Sequence, residues 1–355
     1  MDQIEFIPER HICGVMVESF CRRAAEPDPR LEHASHAAFF QLNVKLQSVN
    51  CLLDGSEETG YRAGVQEIVD PIASQDSIYE ELSVRVQKGV HLRVMTWRPK
   101  QPVSEAPIIF VAGWVSAVSG WAPLLKVMAA RRPVYYIETR EKRSALFESK
   151  KITPADFSIA QMAEDLIRVC SHLGIASPHA TVIGSSLGAT ALLEALKGGR
   201  LTAGTAFLIA PNSEFKAPWY LQWMLFLPVF FYHGIKYFII WYIRTFICDV
   251  KNEPEQMMRY KETLLTAHPQ RIKLSAKAAI YQRYEVWPNL DSVQIPVALA
   301  YAPTDTMHSS ANIRHMADRL PHATLIVCPS NKYMHSADVM LDIEDFVRKS
   351  AQHST

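Results

Sequence analysis

The most informative stretch of the sequence is Thr181-Val182-Ile183-Gly184-Ser185-Ser186-Leu187-Gly188-Ala189-Thr190. It begins as an apolar run typical of a buried strand and stops at Ser186, which has a glycine two residues to either side. The pattern predicts a strand, a sharp turn that exposes the serine hydroxyl, and a helix that begins at Leu187. Gly184 and Gly188 lack a Cβ, which leaves room for the helix to pack closely on the strand. The first helical turn points unpaired N–H groups at the serine, so the Leu187 N–H is a candidate oxyanion donor.

The alternative is an ordinary Gly-Ser turn before a helix, because two glycines and a serine also occur together by chance. The positions of an acid and a histidine further along the chain decide between an exposed catalytic serine and an ordinary turn. Asp305 follows an apolar strand at 296–301, and His335 follows another at 324–328. Carboxyl ends of parallel strands lie at one edge of a sheet, so we expect Ser186, Asp305 and His335 to meet there. The order Ser, Asp, His predicts that His335 is the base that accepts the proton of Ser186. It also predicts that Asp305 orients the imidazole of His335.

Composition limits the classes of function. The chain has 355 residues, 48% of them apolar, with 37 Lys and Arg against 36 Asp and Glu. This length suits one large α/β domain with insertions or two ordinary domains, and the near-zero charge gives no electrostatic case for a nucleic-acid partner.

Six scattered cysteines indicate reduced thiols, and the acidic start lacks the features of a signal peptide, so we expect a cytoplasmic protein. His33 and His36 fit a solvated helix face better than a metal site.

Short apolar runs alternate with helical segments along most of the chain, which predicts a mostly parallel sheet covered by helices. A hairpin turned at Lys88-Gly89 begins this pattern, and one polar and aromatic insertion interrupts it. The predicted organisation is an N-terminal, mostly helical extension at 1–78, an α/β core at 79–211 and 290–355, and a helical, aromatic-rich insertion at 212–289.

Three pieces of the sequence resemble one known family. They are Gly184-Ser185-Ser186-Leu187-Gly188, the stretch Pro296–Asp305, and the late His335. Over roughly residues 82 to 350 the chain is similar to the α/β-hydrolase fold superfamily. The resemblance implies a mostly parallel eight-stranded sheet flanked by helices, a cap inserted after the sixth strand, a Ser-His-Asp triad, and no metal or organic cofactor. Serine at the turn argues against relatives that use aspartate there, such as haloalkane dehalogenases and epoxide hydrolases.

The chain departs from this family at the loop after the third strand. Members of the family usually begin that loop with His-Gly, whereas this chain reads Val111-Ala112-Gly113-Trp114-Val115. Backbone N–H groups form an oxyanion hole, so the change need not abolish it. By position, the Trp114 N–H would act together with the Leu187 N–H. The Trp114 indole either lines the substrate pocket or simply packs in the structure.

The insertion contains an aromatic run from Trp219 to Ile243, and no Asp or Glu lies between Glu214 and Asp249. A segment apolar on all sides is buried, inserted in lipid, or wrapped around an apolar ligand. A membrane span would be interrupted at Pro228, His233, Gly234 and Lys236. Two cap helices that cover an apolar substrate tunnel fit the sequence better. The other two interpretations are that the segment contacts a membrane interface, or that it forms the core of a cap without any role in lipid binding. The candidate pocket residues are Trp114, Trp219, Trp223, Phe226 and Phe230.

These observations predict a serine hydrolase that cleaves a carboxyl ester or thioester of a hydrophobic acyl substrate through an acyl-Ser186 intermediate. Two alternatives stay open. An acyltransferase would use the same acyl-enzyme, and a catalytically silent member of the fold would bind a lipid or a protein through the cap. The expected partner is a hydrophobic small molecule, with peripheral membrane association through the cap as an additional expectation.

Overall fold

A sheet of nine strands forms the centre of the computed structural model, which describes residues 72, 77–101, 104, 106–149, 151–216, 219–248, 250, 254–305 and 307–353. The predicted N-terminal extension, 1–78, lies outside the described residues except for residues 72, 77 and 78. The strands are β1 (Ser77–Gln87), β2 (Val90–Pro99), β3 (Ile108–Val111), β4 (Val134–Ile137), β5 (Leu146–Phe147), β6 (Thr181–Ser185), β7 (Thr205–Ile209), β8 (Val297–Tyr301) and β9 (Ala323–Val327).

The strand order is β1-β2-β4-β3-β6-β7-β8-β9, with β5 paired to β2. β2 runs antiparallel to β1, β4 and β5, and every pair from β4 through to β9 is parallel. The mostly parallel sheet is therefore confirmed. The predicted count of eight strands is corrected to nine, because a two-residue strand such as β5 is too short to give a periodic sequence pattern.

Every residue of β3, β6, β7 and β8 is buried, as their continuous apolar sequences predict. The β1–β2 hairpin turns at Lys88-Gly89, where Gly89 has a positive φ of 71°. This left-handed conformation suits glycine because it has no Cβ. The parallel strands place their carboxyl ends at one edge of the sheet, and the loops at that edge contain Ser186 and Asp305.

Ten α-helices flank or cap this sheet within the described part of the chain: α1 (Ala122–Ala129), α2 (Ile159–Leu173), α3 (Leu187–Leu196), α4 (Trp219–Met224), α5 (Phe231–Tyr242), α6 (Pro254–Thr266), α7 (Pro269–Tyr281), α8 (Ser310–Arg319), α9 (Asn331–Met334) and α10 (Val339–His353). Helix α2 packs against α3, and α10 packs against α1.

Helix α2 is capped at both ends. Pro154–Phe157 forms a separate 3-10 turn, and Ser158 caps α2 by accepting a hydrogen bond from the Gln161 N–H. The helix ends at Gly174, which has a φ of 64°. Both ends of the helix therefore use common capping chemistry.

Helices α4 to α7 lie between β7 and β8 and form the insertion. The gap between α4 and α5 contains Pro228, one of the four residues predicted to interrupt a membrane span, whereas the other three, His233, Gly234 and Lys236, lie within α5. Helix α5 continues directly into a π-helical turn, Ile243–Ile247. Among the described residues, no helix combines the length and the apolar character that crossing a membrane requires.

Candidate active site

Ser186 occupies a strained turn between β6 and α3. Its φ of 49° and ψ of −116° lie outside the regions that residues with a side chain normally adopt. A Cβ added to Gly188 would lie 2.3 Å from the Val111 carbonyl oxygen, and one added to Gly184 would lie 2.7 Å from the Ala189 Cα. The predicted strand, turn and helix are confirmed, and the two glycines are required because backbone atoms fill the space.

Three side chains form a continuous hydrogen-bonded chain at this turn. The His308 Nε2 lies 2.9 Å from the Ser186 Oγ, and the His308 Nδ1 lies 2.8 Å from the Asp305 Oδ2. Asp305 and His308 both belong to the loop between β8 and α8. This is the arrangement in which an imidazole accepts a proton from a hydroxyl while a carboxylate fixes its tautomer.

The prediction that His335 approaches Ser186 is wrong. His335 follows the short helix α9, where its Nδ1 lies 3.0 Å from the carbonyl oxygen of Asn331, one turn earlier. Its ring stacks on Trp121 with the ring centroids 4.3 Å apart. The helical turn after β9 directs this imidazole to Trp121, and His308 takes the place beside the serine. Because His308 also follows Ser186 and Asp305, the order Ser, Asp, His does not distinguish the two histidines.

Asp305 is held in an ionised, oriented state by its own loop. Its side chain is only 4% exposed, and its Oδ1 accepts hydrogen bonds from the N–H groups of Met307 at 2.8 Å and His308 at 3.3 Å. Burial alone would raise the pKa of Asp305, but the hydrogen bond and charge of His308 and the two backbone donors outweigh it. The pKa of Asp305 therefore lies below its usual value, and the group is a carboxylate at neutral pH.

Asn212 is a fourth residue at the serine that the sequence did not indicate. It follows β7, and its Nδ2 donates to the Ser186 Oγ at 3.2 Å. Its backbone N–H donates to the Thr190 Oγ1 at 2.8 Å, and that hydroxyl lies 3.1 Å from the Ser186 carbonyl oxygen. Thr190 thus fixes Asn212 relative to the turn, and Asn212 helps to orient the Ser186 hydroxyl.

The loop after β3 passes directly over Ser186. A Cβ built on Gly113 would lie 3.3 Å from the Ser186 Cβ, so the backbone before Trp114 is in close contact with the serine. Leu187 begins α3 on the other side and is buried. The roles of the Leu187 and Trp114 N–H groups as oxyanion donors stay predictions. The Trp114 indole is 40% exposed and donates from Nε1 to the Ser275 Oγ of α7 at 2.9 Å.

A buried ion pair behind this loop fixes its path. The Lys142 Nζ donates to the Gly113 carbonyl oxygen at 2.6 Å and lies 3.1 Å from the Glu141 Oε1. The same carboxylate oxygen accepts from the Val115 N–H at 3.3 Å and from the Thr139 hydroxyl at 2.7 Å. Burial lowers the pKa of Lys142, while the charge of Glu141 acts in the opposite direction. Val115 has a φ of 44°, which is an unfavourable conformation for a β-branched residue. The Glu141–Lys142 ion pair therefore holds a loop with a strained backbone.

The predicted pocket residues separate into two groups. Trp114 lines a cleft together with Gly120, His335 and two residues of α6, Tyr260 and Thr263. Trp223, Phe226 and Phe230 are not among the residues that line the cleft and are 68%, 69% and 66% exposed, and the side chain of Trp219 is not among those described. Trp223, Phe226 and Phe230 are thus largely exposed to solvent, which is not what an enclosed apolar substrate tunnel predicts.

The described residues contain no group of three His, Cys, Asp or Glu side chains placed to hold a metal ion. Cys170 and Cys328 are buried free thiols, and Cys248 is also buried. The remaining cysteines, together with His33 and His36, lie outside the described residues.

No family model matches the sequence, and no curated protein sequence matches it. Solved structures do match its fold. An esterase from Thermogutta terrifontis is 16% identical, with a TM-score of 0.60 over 77% of this chain and 99% of the esterase. The enol-lactonase of Burkholderia xenovorans is 15% identical, with a TM-score of 0.56 over 78% and 98%. A bacterial membrane phospholipase A described as a virulence factor is 11% identical, with a TM-score of 0.60 over 88% and 99%. This protein has the α/β-hydrolase fold.

Proposed function

We propose that this protein is a serine hydrolase that cleaves a carboxyl ester or thioester of a hydrophobic acyl substrate through an acyl-Ser186 intermediate. The observation that supports it is the hydrogen-bonded chain from Ser186 through His308 to Asp305. The structural neighbours named as an esterase, an enol-lactonase and a phospholipase A support a hydrolase. In this proposal His308 replaces His335 as the general base.

In the acylation step, the Ser186 Oγ attacks the substrate carbonyl carbon while its proton passes to the His308 Nε2. Asp305 accepts the hydrogen bond from Nδ1–H and stabilises the imidazolium. The oxyanion of the tetrahedral intermediate accepts hydrogen bonds from the Leu187 and Trp114 N–H groups. The intermediate collapses, and the leaving alcohol or thiol takes the proton from His308. A water molecule, deprotonated by His308, then attacks the acyl carbon. The acyl bond to the Ser186 Oγ breaks, the oxygen takes the proton back from His308, and the free acid leaves.

The insertion supports a hydrophobic acyl group and a shielded site. Its helices contact the loops on both sides of Ser186: Trp114 is hydrogen-bonded to Ser275 of α7, and the Tyr260 hydroxyl of α6 lies 3.6 Å from the Met307 sulfur, next to His308. Val115 also packs with Ala267 and Ile272 in a small buried apolar cluster. A cap in these positions excludes water and offers apolar surface to an acyl chain.

Two matched histidine variants test the base. We expect His308→Ala to lower the turnover of a p-nitrophenyl ester by at least about a hundredfold, because the serine loses its proton acceptor. We expect His335→Ala to retain turnover within about tenfold of the parent, since its ring contacts Trp121 and not Ser186. Labelling by a fluorophosphonate probe, measured in parallel, should disappear in Ser186→Ala and weaken strongly in His308→Ala.

Circular dichroism of each variant provides the control for folding. Retained labelling of Ser186→Ala would refute the nucleophile. A folded His308→Ala variant with full activity, beside an inactive but folded His335→Ala variant, would return the role of base to His335.

Esters of graded chain length test the substrate class. The proposal predicts that kcat/KM rises from acetyl to longer acyl chains, and that the acid is released free. Activity confined to acetyl esters would exclude a hydrophobic acyl substrate. Transfer of the acyl group to an added alcohol, without release of free acid, would favour an acyltransferase.

A further inference from the structure

The outer surface of the insertion exposes large aromatic side chains. We define the cap aromatics as six residues that are each between 49% and 69% exposed: Trp223, Phe226, Phe230, Phe238, Trp241 and Phe246. All of them lie on α4, α5, the segment between these helices, and the π-helical turn that follows α5. By contrast, the aromatic residues Trp97, Phe110, Trp121 and Phe207 of the α/β core are fully buried.

The cap aromatics are grouped. The ring of Trp241 lies 5.6 Å from that of Phe238 and 5.8 Å from that of Phe246, measured between centroids, so these three rings form one stripe along α5 and its π-helical turn. Trp223 and Phe226 form a second pair, 6.3 Å apart. Contiguous exposed apolar surface of this kind is rare on soluble monomers and marks a binding surface.

The charges around these rings indicate the kind of partner. Between Glu214 and Asp249 the sequence contains Lys216, Lys236 and Arg244 and no carboxylate. Lys236 also fixes the orientation of α5, because its Nζ lies 3.3 Å from the Leu265 and 3.2 Å from the Ala267 carbonyl oxygens at the end of α6. The helices and the turn that carry the rings contain Lys236 and Arg244 and no carboxylate, whereas Lys216 is paired with Glu214 at 2.6 Å. Trp and Phe rings with cations in the same segment match the interface of a phospholipid bilayer, where aromatic rings lie at headgroup depth and anionic headgroups attract Lys and Arg.

We propose that the cap aromatics insert into the interface of a phospholipid bilayer, so that the protein binds a membrane surface peripherally. The binding uses the exposed cap aromatics, whereas Ser186 and its partners lie at the sheet edge. The proposal therefore goes beyond the proposed function and does not depend on it.

Co-sedimentation with vesicles tests the proposal, using the full chain as the Ser186→Ala variant so that lipid hydrolysis does not interfere. We expect binding to phosphatidylcholine vesicles that strengthens when phosphatidylglycerol is included. Replacing Phe226 and Phe230 together by serine should weaken binding at least about tenfold, because two large rings no longer leave water. The matched control replaces Ile78 and Leu341 by serine, two apolar residues elsewhere that are 54% and 69% exposed, and should leave binding unchanged.

Brominated lipids test the depth of insertion in the same protein. Quenching of tryptophan fluorescence should decrease when Trp223 and Trp241 are both replaced by phenylalanine and should be unaffected by Trp287→Phe. Absence of vesicle binding, equal weakening by the control pair, or quenching that is indifferent to Trp223 and Trp241 would each overturn the proposal. So would a dimer in solution that Phe226→Ser and Phe230→Ser convert to monomer without any change in vesicle binding, because a second copy would then cover the surface.

Discussion

The ion pair of Glu141 and Lys142 gives a prediction at the scale of single residues. Lys142→Met removes the donor that holds the Gly113 carbonyl, so the loop over Ser186 should shift and kcat should decrease about tenfold to a hundredfold. The free energy of unfolding should decrease by about 3 kcal/mol, because Glu141 is left buried without its cation. Urea unfolding and ester hydrolysis at a temperature where the variant is folded measure the two effects.

The double variant Glu141→Gln with Lys142→Met separates the effect on the position of the loop over Ser186 from the effect on the free energy of unfolding. It should regain part of the unfolding free energy, since no charge is left buried alone, yet stay impaired in kcat. Lys126→Met, which changes an exposed lysine of α1, is the matched control. An unchanged kcat in the folded Lys142→Met variant would show that Lys142 does not position the loop.

The residues of the candidate active site could be predicted only in part, for reasons visible in individual contacts. Ser186 and Asp305 were accessible from sequence because each directly follows a buried strand. The sequence does not single out His308, because a histidine in the loop of Asp305 and a histidine after the next strand both satisfy the order Ser, Asp, His. The backbone N–H bonds of Met307 and His308 to Asp305 fold the loop so that the nearer histidine faces the serine. Asn212 and Lys142 act through contacts that no local pattern reveals.

At the scale of elements, the packing of α3 on the strands predicts the effect of a single methyl group. Gly188→Ala would place a Cβ 2.3 Å from the Val111 carbonyl oxygen, so α3 must move away from β3. We expect a loss of about 1–3 kcal/mol in unfolding free energy and a large loss of ester hydrolysis, because Leu187 moves with the helix. Chemical denaturation and steady-state kinetics measure both.

Gly234→Ala is the control for this substitution. Gly234 lies in α5, and nothing is within 4 Å of a Cβ built there. Alanine in an open helical position should leave activity unchanged and leave stability equal or slightly higher. A Gly188→Ala variant as stable and active as the parent would contradict the packing described for α3.

Helices α4 and α5 illustrate where sequence periodicity fails. The core strands and helices were predictable because their apolar residues recur with a period or form short buried runs. The run from Trp219 to Ile243 is apolar on nearly all sides, so it has no polar face to indicate which side meets the solvent. Its break near Pro228 was predictable, but the outward orientation of Trp223, Phe226 and Phe230 depends on how α5 is fixed to α6 and α7.

For the molecule as a whole, the low pKa of Asp305 predicts how stability depends on pH. An unfolded aspartate has a pKa of about 4, and the folded value lies below it, so the carboxylate stabilises the fold above about pH 4. This contribution decreases as the pH falls through the folded pKa. The difference in unfolding free energy between the parent and Asp305→Asn should therefore be constant near neutrality and shrink in acid.

Urea unfolding curves at a series of pH values test this expectation, with Asp318→Asn, an exposed change on α8, as the control. A difference between parent and Asp305→Asn that grows on acidification would have the wrong sign for a depressed pKa and would contradict the hydrogen bonding described around Asp305.

Asp305 and His308 share one short loop, so their mutual geometry is set by adjacent backbone atoms. It does not depend on the alignment of two separate strands. A displacement of β9 or α10 would therefore leave the hydrogen bond between Asp305 and His308 intact. In the proposed mechanism no described residue beyond α8 transfers a proton, and His335 instead lines the cleft together with Trp114.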